Sequence, residues 1–357
     1  MNAPASPSVS APRFVLSIGN TAVSAEIRAD IGMVEISEDM NTPAMLEFSI
    51  NLWDGMRMIL KESYLEQFAL GTPLKLALGI DEEKTIFTGE VTALEPEFGG
   101  LDGPDSLKVQ AYNRLHRLKI GTRQRTFEKM TYSDIAASIA SDVGLTAAVD
   151  KTATKHAHVV QESLTDLEFL LRLARPINYE VSVDDKTLNF RKCREDKDPV
   201  VSLTYRRDLM EFTPRQRAVP QGAKVEVRGW DVKTKKPILG KAGAGDETSK
   251  MGGKKTGAEI SASAFGASAR THTITAETLV DADEATQIAK AWYNRQQSNF
   301  VEAQGECVGS PQIRAGVMIE IAGVGKTFSG TYYVVSAKHN IGASGYRTRF
   351  EVTRNSL

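Results

Sequence analysis

Six residues, Ala322-Gly323-Val324-Gly325-Lys326-Thr327, come nearest to a chemical motif in this sequence. A phosphate cradle needs Gly-x-x-x-x-Gly-Lys-Ser/Thr running into a helix, so that successive backbone N–H groups wrap an anion. Here position 320 is Glu, and the residues after Thr327, Phe328-Ser329-Gly330-Thr331-Tyr332-Tyr333-Val334, read as a strand. The segment is therefore expected to be a glycine turn between strands at 317–321 and 331–335 that binds no nucleotide. His156-Ala157-His158 places two imidazoles on one face of a strand. A catalytic zinc site takes about three protein ligands and an open position, and no Cys/His/Glu cluster adjoins the pair. His116 and His339 lie in strand-rich surroundings and are expected to be packed or interfacial. Ser, His and Asp all occur, but without the Gly-x-Ser-x-Gly elbow that would expose a nucleophile. Glu95 and Glu97 alternate onto one strand face, the pattern of a solvated edge. The two cysteines, Cys193 and Cys307, make no disulfide framework and are expected to be reduced thiols. No catalytic, cofactor-binding or metal-ligating residue is assigned, and no cofactor is expected.

The elements around these residues are mostly short strands. Phe14/Leu16/Ile18, Val34/Ile36, Leu46/Phe48/Ile50, Leu74/Leu76/Leu78 and Leu107/Val109/Ala111 repeat with period two and are bounded by Gly, Pro, Asp or Asn. Gly19-Asn20 supplies a turn that tolerates positive φ. Met56, Ile59, Leu60, Tyr64 and Phe68 fall at helical spacing and predict a helix over 55–68. Residues 121–200 change character. Thr131-Tyr132-Ser133-Asp134 and Thr165-Asp166-Leu167-Glu168 are capping-box sequences. The first precedes the stripe Ile135/Ile139/Val143. The second precedes Leu167/Leu170/Leu171/Ala174, and Pro176 ends that helix. A hairpin follows, with Tyr179/Val181/Val183 and Leu188/Phe190 flanking an Asp-Asp-Lys turn. Strand signals return at 201–205 and 224–230. Residues 241–270 hold only Met251, Ile260 and Phe265 as large apolar side chains, which predicts a long mobile loop or extended arm, ordered only where its lysines dock on an acidic partner surface. A helix is expected over 281–298 with Ala285, Ile288, Ala289 and Trp292 on one face. The chain ends in strands again, at Ala303/Gly305/Cys307, Val317/Ile319/Ile321, Tyr332/Val334 and Phe350/Val352.

The fold class is thus mainly β (α+β): two antiparallel β-barrels with an inserted small α+β domain. The divisions read as a flexible arm (1–12), a first barrel (13–120), the α+β insert (121–200), a second barrel (201–230 and 300–357) and a loop-and-helix insertion (231–299). The 357 residues carry 44 basic and 45 acidic side chains, a net charge of -1. Such a balance gives no field to recruit nucleic acid or an anionic membrane. No apolar run approaches the roughly 18 residues of a membrane span, and residues 1–12 lack the basic start and apolar core of a secretory signal. Lys233, Lys235, Lys236, Lys241, Lys250, Lys254 and Lys255 form a basic stretch without interleaved aromatics, unlike a single-strand nucleic-acid groove.

Longer segments add a resemblance. Phe87-Thr88-Gly89-Glu90-Val91-Thr92-Ala93-Leu94-Glu95-Pro96 and Ala111-Tyr112-Asn113-Arg114-Leu115-His116-Arg117-Leu118 resemble the phage late control gene D family and the hub part of VgrG proteins. His158-Val159-Val160-Gln161-Glu162-Ser163-Leu164-Thr165-Asp166 with the hairpin at 179–190 is similar to that family's inserted domain. Phe328 to Val335, His339 and Tyr346-Arg347-Thr348-Arg349-Phe350 continue the likeness. The resemblance implies a homotrimeric baseplate hub of a contractile tail or tailocin, with two tail-tube-like barrels per chain. It implies a ring adapting a hexameric inner tube to a trimeric spike, which must be a separate polypeptide because the sequence stops after the second barrel. Other baseplate proteins would be its remaining partners. Synthesis in the bacterial cytoplasm and incorporation into a virion or tail-like particle would follow. The competing expectations are a tail-associated wall hydrolase, which would need paired carboxylates in a cleft, and a receptor-binding β-module, which would expose aromatic platforms.

Overall fold

The computed structural model describes residues 13–79, 83–100, 103–219, 224–231, 234–266, 270–276, 279–342 and 345–357. The arm at 1–12 and Lys233 of the basic stretch lie outside them. The protein is mainly antiparallel β, organised in two large β halves with an α+β domain between them in sequence.

In the first half the period-two pattern becomes a buried inner face. Leu46, Phe48 and Ile50 of strand Met45–Asn51 and Leu107, Val109 and Ala111 of strand Ser106–Tyr112 all point into one core. The strand order is Ile31–Asp39, Met45–Asn51, Ser106–Tyr112, Lys84–Glu97, Pro73–Gly79, Arg13–Ile18. In the second half the order is Leu209–Gln216, Val301–Val308, Gly345–Arg354, Gly330–Gly342, with Met318–Ala322 and Ser202–Thr204 alongside the last of these.

Strand Gly330–Gly342 belongs to both halves. Its N-terminal part pairs with Met318–Ala322, while Ser336 to Ile341 pair with Asp39 to Val34 of the first half. On its other edge it follows Gly345–Arg354 from Tyr333 to Gly342, with a bulge between Val334 and Ser336 where the partner on the first edge changes. One 13-stranded sheet results.

The α+β domain has its own core of Ile135, Ile139, Phe169, Leu170, Val181 and Phe190. Both capping boxes form, at Thr131/Asp134 and Thr165/Glu168, and start helices Tyr132–Asp142 and Asp166–Ala174. The hairpin Tyr179–Asp184/Thr187–Lys192 turns through Asp185 at positive φ.

Three expectations need correction. First, the predicted helix over 55–68 is confined to Ser63–Gln67. The Asp54 carboxylate accepts the N–H groups of Met56 and Arg57, and Met58 takes positive φ, so the chain makes a tight hairpin before the helix. Met56 is 98 % exposed, while Tyr64 and Phe68 are buried in the core and Leu60 packs against it.

Second, the 224–230 strand does not join the second barrel. Lys224–Asp231 pairs with Lys236–Gly243 and Thr271–Thr275 in a separate three-stranded sheet. Helix Ala282–Ser298 covers it through Ala285, Ala289 and Tyr293. The fit is close: a Cβ on Gly240 would sit 2.1 Å from the Ala285 carbonyl carbon.

Third, much of 241–270 packs on its own subunit. Met251 is buried against Met318 and Tyr333. A third capping box, Thr256/Glu259, starts helix Gly257–Phe265. The Lys254 and Lys255 N–H groups donate to the Leu357 carbonyl, and the Gly257 N–H to that of Asn355. Backbone hydrogen bonds and small residues hold the segment, which a count of large apolar side chains does not register.

Candidate assembly surface and its ionic seams

The outward face of the large sheet is a cross-strand lattice of charge. Register places Glu306 opposite Arg349, Gln304 opposite Glu351, and Lys338 opposite both Arg349 and Ser37. Arg349–Glu306 (2.6 Å) and Gln304–Glu351 (2.9 Å) join strands of the second half, and Lys338–Glu35 (2.7 Å) crosses into the first. Gln110 and Lys108, each 3.1 Å from Glu47, continue the row. These exposed pairs add little stability, but they give both halves one continuous hydrophilic face.

The inward positions contain ionisable groups the sequence reading did not single out. Glu180 is 1 % exposed between Tyr179 and Val181, so the domain's strand is buried on both faces. Its carboxylate accepts the Tyr333 hydroxyl (2.6 Å) and the Arg191 Nε–H (2.7 Å). Tyr333 comes from the shared strand, so this node fastens the α+β domain to the second half. Desolvation and the Glu180 charge push the Tyr333 hydroxyl far above its ordinary range. Nearby, Glu195 accepts the Ser298 hydroxyl at 3.1 Å, and its other oxygen has no partner among the described residues. Burial, reinforced by the charges of Glu180 and Asp196, raises the Glu195 carboxyl to about 7.

A second seam joins the two halves. Arg314 donates from two guanidinium nitrogens to the buried Glu38, with Nε–Oε2 at 2.6 Å. His339 of the shared strand is enclosed; its Nδ1 lies 3.0 Å from the Tyr346 hydroxyl and 3.2 Å from Thr348 Oγ1. Burial, with repulsion from Arg314, lowers this imidazole to about 3. His339, expected to be packed or interfacial, is buried; the only sequence signal for Glu38 and Glu180 was a polar residue at an inward strand position.

The residues considered for chemistry disperse. Residues 323–327 form a turn with Gly323 and Gly325 at positive φ, then a four-residue helix, Gly325–Phe328, before the shared strand; that helical turn was not anticipated. His156 stacks on Tyr132 at 4.2 Å and faces Glu284 at 3.7 Å, while His158 lies exposed near Glu128. His116 is in a 3-10 turn beside Glu90, and Glu95 is 4.0 Å from Lys108. Glu97 is exposed at the end of the same strand. Cys193 and Cys307 are separate, and burial raises both thiols. Lys241 and Lys250 pair with Glu226 and Glu259 of their own chain. Among the described residues, no three His, Cys, Asp or Glu side chains are grouped to hold a metal ion, and no helix is long and apolar enough to cross a membrane.

The family model described as the Alg8 N-terminal domain matches residues 13–343. No curated protein sequence matches the chain. A 43 kDa tail protein of prophage MuSo2 from Shewanella oneidensis superposes with a TM-score of 0.69 at 15% identity, covering 96% of this chain and 98% of that one. A tail protein from Neisseria meningitidis MC58 gives 0.68 at 11% identity, with 96% and 97% covered. The E. coli c3393 protein is described as a component of the type VI secretion system, structurally similar to the T4 bacteriophage tail proteins gp27 and gp5. It gives 0.62 at 13% identity, with 96% and 77% covered. At these identities the likeness establishes a shared fold.

Proposed function

The chain belongs to the Alg8 N-terminal domain family, and we propose that it is a structural, non-enzymatic hub subunit of the baseplate of a contractile tail or injection machine. In this reading three copies close into a ring. Each contributes two antiparallel halves, so the ring offers six comparable units to a hexameric inner tube and a threefold axis to a separately encoded trimeric spike. The inner tube protein, the spike and other baseplate proteins are its partners. It is made in the bacterial cytoplasm and carried in a phage tail or tail-like particle, as the late-control and VgrG-like resemblance implies.

The observation that carries the proposal is the shared strand Gly330–Gly342, which fuses two β halves into a single sheet with one charged face. That sheet ends on strand Leu209–Gln216 at one side and on Arg13–Ile18 with Thr21–Ala22 at the other. Unpaired edges of this kind invite pairing with another chain, and a closed ring covers them. The near-complete overlap with tail proteins supports the same reading.

Imaging of purified particles that carry a gold-labelled copy of the chain tests it. The label is expected at the junction of tube and spike. Label confined to peripheral fibres, or clearing of a peptidoglycan suspension by the pure protein, would favour the receptor-binding or wall-degrading alternative instead.

A further inference from the structure

A groove of about 380 Å³ runs between helix Asp166–Ala174 of the α+β domain and helix Ala282–Ser298, lined by Leu171, Arg172, Arg175, Pro176, Trp292 and Arg295, with Glu168 at its rim. Three guanidinium groups meet there, and none has a carboxylate partner among the described residues. Arg172 donates to the Val160 carbonyl and lies 5.0 Å over the Phe169 ring. Arg295 donates to the Arg175 carbonyl and lies 5.5 Å over Trp292. The Arg175 side chain is exposed and makes no ion pair. Burial lowers the Arg295 guanidinium below its ordinary range, and the neighbouring Arg175 charge adds to that. The one acid, Glu168, is spent on its own helix: its carboxylate accepts the Thr165 N–H and hydroxyl, both at 2.8 Å.

This is an unbalanced local charge in a chain whose total is nearly neutral. Elsewhere on the surface, arginines such as Arg349 and Arg217 have acidic neighbours at 2.6 and 2.9 Å. Leu171 departs from its expected place as well: it falls on the predicted apolar stripe, yet it is only half-buried and faces the groove, while Phe169 and Leu173 enter the core.

We propose that this groove docks an acidic peptide segment of a partner protein, with one apolar side chain of that segment seated on Leu171, Pro176 and Trp292 and its carboxylates engaging Arg172, Arg175 and Arg295. Arginine forks match carboxylates in geometry as well as charge. The apolar floor selects a peptide over a polyphosphate, which would leave Leu171 and Trp292 wet. The chain's first twelve residues contain no acid and do not fit as the occupant. The proposal does not depend on ring stoichiometry.

The test is fluorescence anisotropy on the full chain with a labelled peptide, Gly-Asp-Glu-Leu-Asp-Glu-Gly, at low salt. Saturable binding is expected, weakening with added salt. Arg172→Glu with Arg175→Glu should weaken it at least tenfold. Both side chains are exposed, so the fold should hold, and an unchanged circular dichroism spectrum checks this. Leu→Ser in the peptide should weaken binding severalfold. The proposal is overturned if the peptide does not bind, if the double variant binds it equally well, or if the Leu→Ser peptide matches the parent. Stronger competition by inorganic phosphate or a 20-nucleotide single-stranded DNA than by unlabelled peptide would make it a general polyanion site and likewise overturn the proposal.

Discussion

The two seams of this protein are built from different material. Between the β halves the contact is a backbone ladder, Ser336 to Ile341 against Asp39 to Val34, flanked by buried Ile36 and Ile341 and by the doubly bonded Glu38–Arg314 pair. Around the α+β domain the contacts are made by side chains: Glu180, paired with Arg191 of its own domain, accepts Tyr333 of the second half, and Glu195 accepts Ser298 at the end of helix Ala282–Ser298. A ladder tolerates sequence change because the backbone supplies its donors. A buried carboxylate does not, because removing one partner leaves an uncompensated charge. The α+β domain should therefore be the part whose attachment is most sensitive to single substitutions and to pH.

The largest expected effect comes from breaking the Glu180 node. Arg191→Met should cost about 3–5 kcal/mol in urea denaturation, the range for orphaning a buried charge. The double variant Glu180→Gln/Arg191→Met should recover a substantial part, since the orphaned charge is gone. A single variant within about 0.5 kcal/mol of the parent would mean that the node is solvated and is no seam.

The second effect is the pH response of Glu195. Its carboxyl titrates near 7 in the folded chain and near 4.5 when unfolded. Between those values the folded state holds a proton that the unfolded state has released, so this group's contribution to stability falls as pH rises. Glu195→Gln should remove the loss and stabilise the protein by about 1–3 kcal/mol at pH 8 relative to pH 4.5, an order-of-magnitude figure from the size of the shift. Stability profiles of parent and variant that run parallel across this window would refute it.

The seam between the halves should respond in the opposite direction. His339 stays neutral down to about pH 3 when folded but protonates near 6.5 when unfolded. Its contribution is complete above about 6.5 and is lost as pH falls toward 3. Between about 4.5 and 6.5 the two groups each shift one proton with opposite sign, so their slopes cancel in the parent. Glu195→Gln should expose an acid-side loss approaching 1.4 kcal/mol per pH unit, and His339→Gln should leave a loss on the alkaline side. Equal slopes for parent and both variants would mean that neither group is buried as described.

Much of this architecture can be read from period and caps. The inward residues of Met45–Asn51 and Ser106–Tyr112 alternate without a break, and both domain helices start where Thr131/Asp134 and Thr165/Glu168 place them. The seams are less legible for a physical reason. Glu180 and Glu38 occupy inward strand positions, and a sequence does not say whether such a position meets a partner more than a hundred residues away, as Tyr333 and Arg314 are. The segment at 241–270 was hidden similarly, because its anchors are backbone groups of the C-terminal residues. Strand 224–231 carries an ordinary strand pattern, and nothing local decides which sheet it joins.

The central claim is that two fused halves in each chain exist to build a threefold ring. Native mass spectrometry over a concentration series, with and without the proposed spike partner, tests it most directly. Dilution can dissociate a ring by mass action, so the concentrated limit decides. The account predicts a species of three chain masses that persists at high concentration and takes up one spike trimer. A chain that stays monomeric at the highest concentration with spike present, or a closed assembly of another order, would contradict it.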